Sequence, residues 1–182
     1  MKMIKFLFYL WVLCLLPFTG KAEQDGIFKS TVQNIQNVWQ SDKWELYLPV
    51  NTWHNRKTYK KEKIKEYNER PWGIGVGKYY MDEKENRHAL YIMTFQDSHN
   101  DPEPTFGYSW MTYGYADKKQ NWRFGIGYTL GFTFRSDYHY LPLPMPLPVF
   151  EIGYKGFSVQ STYVPGGEGS GNILFTWVKW QF

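Results

Sequence analysis

The chain has 182 residues, a net charge of +4, one cysteine and aromatic side chains at 20% of its positions, yet its mean hydropathy is negative. A lone cysteine excludes a disulfide framework and a cysteine-ligated metal site. Lys and Arg are scattered rather than massed into a patch, which argues against nucleic acid as a partner.

The first element is a leader. Lys2 and Lys5 precede an apolar run from Phe6 to Phe18, and Thr19-Gly20-Lys21-Ala22 follows. A basic start, an apolar middle and small residues at the cut are the pattern of a secretory signal peptide. It predicts export with cleavage after Ala22, leaving residues 23–182 as the mature chain. The run is too short for a permanent membrane helix. Cys14 leaves with the leader, and "WVLC" lacks the small residue expected before a lipid-modified cysteine.

Residues 23–42 follow as a predicted amphipathic helix. Phe28, Val32, Ile35 and Trp39 recur at helical spacing and share one face, while Lys29, Ser30, Gln33, Asn34 and Asn37 form the other. Such a helix either packs on a core or lies in a membrane interface.

From Trp44 the apolar period changes to two. Strands are expected near 44–53, 71–81, 88–97, 105–115, 122–134, 147–155, 157–164 and 172–182, joined by polar or Gly/Pro-rich connections. Most have about the length a tilted strand needs to cross a bilayer. Nine tryptophans, eight of them beyond the leader, are hard to hide in one soluble domain but suit the aromatic girdles of a membrane barrel. Residues 43–182 are therefore expected to form an all-β, eight-stranded antiparallel transmembrane β-barrel whose closure removes the sheet edges. In 105–115 one parity, Phe106, Tyr108, Trp110 and Thr112, suits lipid; the other, Gly107, Ser109, Met111 and Tyr113, faces the lumen. Small and apolar lumen walls predict one slim ligand, such as an acyl chain.

With the helix in the periplasm, the connections 54–70, 98–104, 135–146 and 165–171 face outside. His54 ends the first strand, and Asp97 and Ser98 end the third, so all three meet on the outer rim. Adjacent residues of a regular strand point to opposite faces. Asp97 and Ser98 can share a site only if the strand ends between them. A histidine has the intrinsic pKa of a general base, and a carboxylate can orient it. His54 is expected as base, Asp97 as its orienter, and Ser98 as a group that binds or polarises a reacting oxygen.

"LYLPVNTWHNR", "YNERPWGIGVG", "FQDS" and "YLPLPMPLP", with the terminal "QF", together resemble the PagP family of outer-membrane lipid A palmitoyltransferases, over nearly the whole mature chain. The resemblance implies an outer-membrane acyltransferase that moves a palmitoyl group from the sn-1 position of a glycerophospholipid donor to the hydroxyl of a 3-hydroxyacyl chain of a lipid A acceptor. It implies raised resistance to cationic antimicrobial peptides, no cofactor and no metal. The family's catalytic His, Asp and Ser fall on His54, Asp97 and Ser98, and its lipopolysaccharide-recognition lysine on Lys63. Prolines 49 and 71, and 148 and 165, border neighbouring strands; lacking ladder donors, they correspond to the family's lateral lipid gates. Ser109 stands where the family has the glycine that sets acyl length at the pocket floor, and Glu168 where it has a tyrosine associated with the donor gate. The competing expectations are a lipid A deacylase or phospholipase and a non-catalytic adhesion barrel. The oligomeric state is expected to be a monomer or homodimer.

Overall fold

A computed structural model of the chain describes residues 21–167 and 171–182, with side chains from residue 29 onward. The leader lies outside the described residues except for Lys21 and Ala22, and so does Glu168. Helix α1 runs Lys21–Gln40. The strands are β1 Trp44–His54, β2 Gly73–Met81, β3 Arg87–Gln96, β4 Pro102–Tyr115, β5 Trp122–Phe134, β6 Pro142–Tyr154, β7 Phe157–Val164 and β8 Ile173–Gln181. They close as one antiparallel barrel in chain order, β8 pairing back onto β1.

The outward face is apolar. Val50, Ile74, Val76, Ile92, Phe106, Leu130, Phe150, Ile152 and Val159 all point away from the lumen. Trp44, Trp122, Tyr154, Phe157, Trp180 and Phe182 ring the end near α1, and Trp53, Trp72 and Tyr140 mark the opposite end. Two aromatic belts flanking an apolar band are what a bilayer selects.

Two differences from the expected strands share one cause. Pro142, Pro144 and Pro146 lie within β6 rather than in the 135–146 connection, and β4 begins at Pro102 rather than 105. Proline's fixed φ fits extended chain, and only its missing donor is a cost. Pro142, Pro144, Pro146 and Pro148 share one parity, so the missing N–H groups all fall on one edge. β5 pairs with β6 throughout, but β7 pairs only from Val149 to Tyr154. The upper half of the β6/β7 boundary is thus an open seam, bridged at its base by Thr162 Oγ1 donating to the Pro148 carbonyl at 2.6 Å. A second seam lies between β1 and β2, whose pairing stops at Tyr47 and Gly75 although β1 continues to His54.

The lumen divides into two halves, which corrects the expectation of small and apolar walls. Near α1 it is filled by ions: Glu45 and Arg87 pair directly, Lys179 Nζ lies 2.9 Å from Glu151 and 3.6 Å from Glu45, and Arg123 Nε lies 2.7 Å from Glu151. Glu45, Arg87 and Lys179 are fully enclosed. Five charges contributed by β1, β3, β5, β6 and β8 are invisible when one strand's parity is inspected. The outer half holds a cavity lined among others by Tyr91, Met93, Leu147, Val149 and Phe175. The glycines of β2 make room for this lining: a Cβ added at Gly75 would lie 2.6 Å from the Met93 Cβ.

Helix α1 rests against β2 and β3. Among its residues with described side chains Val38 is fully buried, while Val32 and Trp39 face outward. The Trp39 carbonyl accepts a hydrogen bond from Lys78 Nζ at 3.0 Å. Of the expected apolar face, Val32 and Trp39 are exposed and Ile35 is half-buried, while Val38, one position off that face, is enclosed.

Candidate active site

His54 reaches the lumen because of a backbone irregularity. Along β1, Glu45 and Tyr47 face inward, and strict alternation would point residue 54 outward. The register against β8 slips between Pro49 and Asn51. One extra residue reverses the parity, so Thr52 and His54 turn inward and are buried.

Asp97 and Ser98 follow β3, which ends at Gln96. The Asp97 N–H donates to the Asp101 carbonyl at 2.8 Å, and Asp97 Oδ1 accepts from the N–H groups of His99 and Asp101 at 2.8 and 2.9 Å. This side-chain-closed turn is an ordinary use of aspartate. It bends the chain so that both residues line the cavity mouth. Ser98 Oγ lies 3.0 Å from His54 Nε2.

The carboxylate bonded to His54 is Glu69, not Asp97, and the expected orienter is corrected. Glu69 Oε1 lies 3.1 Å from His54 Nδ1 and also accepts the His54 backbone N–H at 3.1 Å. Arg56 grips both Glu69 oxygens at 2.6 Å, and its hydrogen bonds, ahead of those from His54, hold the carboxyl down at about 2. The Glu69 carbonyl accepts from Thr52 N and Asn51 Nδ2 at 3.0 and 3.1 Å. This anchors the segment on the edge of β1 that the seam leaves unpaired. Among the described residues no hydrogen bond or ion pair joins Asp97 to His54. Asp97 Oδ2 is buried with no hydrogen-bond partner, 3.6 Å from an Arg135 nitrogen.

Aromatic rings complete the enclosure. Tyr67 stacks on His54 with centroids 4.7 Å apart, and Tyr59 meets it edge-on at 5.1 Å. The Tyr59 hydroxyl donates to the Gly171 carbonyl at 2.6 Å. Sequence reasoning did not select Glu69, Tyr59, Tyr67 or Arg135; the one available signal was Glu69 inside the "NERPWG" motif.

The remaining expected residues are dispersed. Lys63 is exposed on a short helix, α2, Lys61–Glu66, within the β1–β2 connection, which also carries Lys60, Lys61 and Lys65. Ser109 lies deep in the cavity lining, with its hydroxyl accepting from Arg87 at 3.3 Å. His88 belongs to the opposite end, bonded to Tyr108 at 2.5 Å and Asp82 at 3.2 Å. Asp97, His99 and Asp137 each bring one ligand-type atom within 4.8 Å of the others. Arg135 sits against the same carboxylates, 2.9 Å from Asp137, and its charge opposes a cation there.

The family model described as "Antimicrobial peptide resistance and lipid A acylation protein PagP" matches residues 34–179. Three proteins named "Lipid A acyltransferase PagP" are similar to the chain. The one from Yersinia enterocolitica is 51% identical over 161 residues, 88% of this chain and 79% of the relative. That from Photorhabdus laumondii is 51% identical over 166 residues, 91% and 80%. That from Laribacter hongkongensis is 48% identical over 157 residues, 86% and 75%.

Proposed function

The chain belongs to the PagP family, and we propose that it is a lipid A acyltransferase of the outer membrane, exported by a leader cleaved after Ala22. It takes a palmitoyl or similar chain from the sn-1 position of a glycerophospholipid and places it on the hydroxyl of a 3-hydroxyacyl chain of lipid A. The observation that carries this reading is a histidine and a serine in hydrogen-bond contact, 3.0 Å apart, at the mouth of a largely apolar cavity in a bilayer-suited barrel.

The chemistry is ester exchange. The donor enters through a lateral seam and lays its acyl chain in the cavity, leaving the ester carbonyl at the mouth. The lipid A hydroxyl attacks that carbonyl while His54 Nε2 takes its proton. Ser98 Oγ–H turns from Nε2 to the developing oxyanion, the role expected of a pre-placed donor. His54 then returns the proton to the leaving lysophospholipid oxygen, so no net proton is consumed. Asp97 shapes the turn that presents Ser98, and its second oxygen lies 3.6 Å from the Arg135 guanidinium. Lys63 and its neighbouring lysines attract the phosphates of lipopolysaccharide.

Mass spectrometry of lipid A from cells expressing the protein tests the reading. An acyltransferase adds the mass of one acyl group. A deacylase would subtract one, and an adhesion barrel would leave the lipid unchanged; either result rejects the proposal.

A further inference from the structure

We infer that Glu69 is the positioning residue of the reaction, fixing the tautomer and the ring plane of His54. This rests on the proposed acyl transfer and adds a residue to it.

The geometry carries the assignment. A neutral imidazole offers one N–H and one lone pair, and the partner of one nitrogen decides which is which. Glu69 Oε1 faces Nδ1 at 3.1 Å and Ser98 Oγ faces Nε2 at 3.0 Å. An ionised carboxylate can only accept, so Nδ1 carries the hydrogen and Nε2 the lone pair. The base is thereby aimed at Ser98 and the cavity mouth. The opposite tautomer would set the Nδ1 lone pair against a carboxylate.

Glu69 is itself held. Oε1 accepts from the His54 main chain and ring and from Arg56, and Oε2 accepts from Arg56. Arg56 also donates to the His54 carbonyl at 3.1 Å. One carboxylate therefore spans the backbone, the ring and the adjacent guanidinium of the same strand end. Tyr67 and Tyr59 limit rotation of the ring. The charged or titratable groups around His54 are Glu69 and Arg56 on the β1–β2 connection, the phenols Tyr59 and Tyr67 on that connection, and Arg135 after β5. Glu69 is the acid in direct contact with the imidazole.

The chemical consequence is specific. When His54 accepts the acceptor proton it becomes a cation. Glu69 stabilises that cation while staying ionised, because its proton affinity is far lower. Carboxylates that hold a catalytic histidine this way are worth about 10⁴-fold in turnover in serine proteases.

The test uses the full mature protein in detergent micelles, with E69Q and E69D. E69Q is expected to lower kcat by about 10²-fold or more while KM changes little, and to move the acidic limb of the pH–kcat/KM profile to lower pH. E69D, which keeps the charge, is expected to retain that limb and recover part of kcat. Nitrogen-15 NMR of His54 is expected to show the Nδ1–H tautomer in the wild type and a mixture in E69Q. Wild-type kcat in E69Q overturns the inference. So does a slow E69Q whose tautomer and acidic limb are unchanged, because that marks a purely structural loss. Absence of acyl transfer in the wild type would reject the functional reading instead, and the His54 tautomer would still decide the role of Glu69.

Discussion

The Arg87 guanidinium donates to the Ser109 hydroxyl at 3.3 Å, deep in the cavity, while it pairs with Glu45 on its other side. The serine oxygen at this position therefore has a partner as an acceptor, and the hydroxyl does not face hydrocarbon wholly unpaired. What remains is its volume. A CH₂OH group in place of hydrogen displaces the end of a bound chain by about one methylene, worth about 0.8 kcal/mol. Ser109→Gly is predicted to favour the longer donor about fourfold. Competition between phospholipids of graded chain length, read by mass spectrometry, checks this, and an unchanged optimum would remove Ser109 from the floor.

The ions below the floor give a stability prediction. Arg87 and Glu45 are enclosed, and Lys179 lies 3.6 Å from the same carboxylate. Removing one partner of a buried pair leaves the other uncompensated, typically at a cost of about 3–5 kcal/mol. Arg87→Met is predicted to lose stability on that scale in urea titration of the folded barrel. Combining it with Glu45→Gln recovers part of the loss, because the orphaned charge is gone. A single variant as stable as wild type would show that Lys179, and Gln181 whose Nε2 donates to Glu45 at 2.8 Å, already satisfy Glu45.

At the mouth, His54→Ala and Ser98→Ala are predicted to fold and to lose transfer. General-base catalysis contributes about 10²–10⁴-fold, and a single oxyanion donor about 10²–10³-fold. Both side chains sit at the end of the lumen away from the ion network, so the barrel's own stability is largely spared. Heat-modifiable gel migration reports the fold and radiolabelled acyl transfer the rate. Wild-type turnover in either variant rejects that residue's chemical role.

The barrel was legible because period-two alternation and aromatic spacing are local signals that each strand carries alone. The parity of β4, with Phe106 outward and Ser109 and Met111 inward, follows from counting. His54 shows where counting fails. Its inward aim depends on a register slip near Val50 that is defined only against β8. Glu69 was hidden for a related reason. It sits in a connection with no periodicity, and its meaning comes from β1, whose edge the seam leaves free. The partner of the His54 ring was not legible at Asp97, which neighbours Ser98 in sequence but makes no hydrogen bond to the imidazole among the described residues. The Asp97 Oδ1 is committed to the backbone of its own turn, a use that sequence cannot tell apart from catalysis.

The last prediction concerns α1. Val38 is fully buried, and Lys78 Nζ caps the Trp39 carbonyl from β2. Ser41 Oγ donates to the Tyr79 carbonyl at 2.6 Å just beyond the helix. These contacts clamp the helix to the end of the barrel opposite His54, with the ion network between them. Burying a valine side chain is worth about 1.5–3 kcal/mol. Val38→Asp should therefore lower stability by about 2 kcal/mol or more, since a carboxylate would meet the same apolar contact without a partner. Deleting residues 23–40 of the mature chain should cost at least as much. Neither variant touches a residue in contact with His54 or Ser98. Transfer measured well below the unfolding midpoint should therefore stay within about threefold of wild type, a difference under about 1 kcal/mol. A helix-deleted barrel that is fully folded by circular dichroism yet transfers no acyl groups would show that α1 takes part in the reaction rather than holding the barrel end.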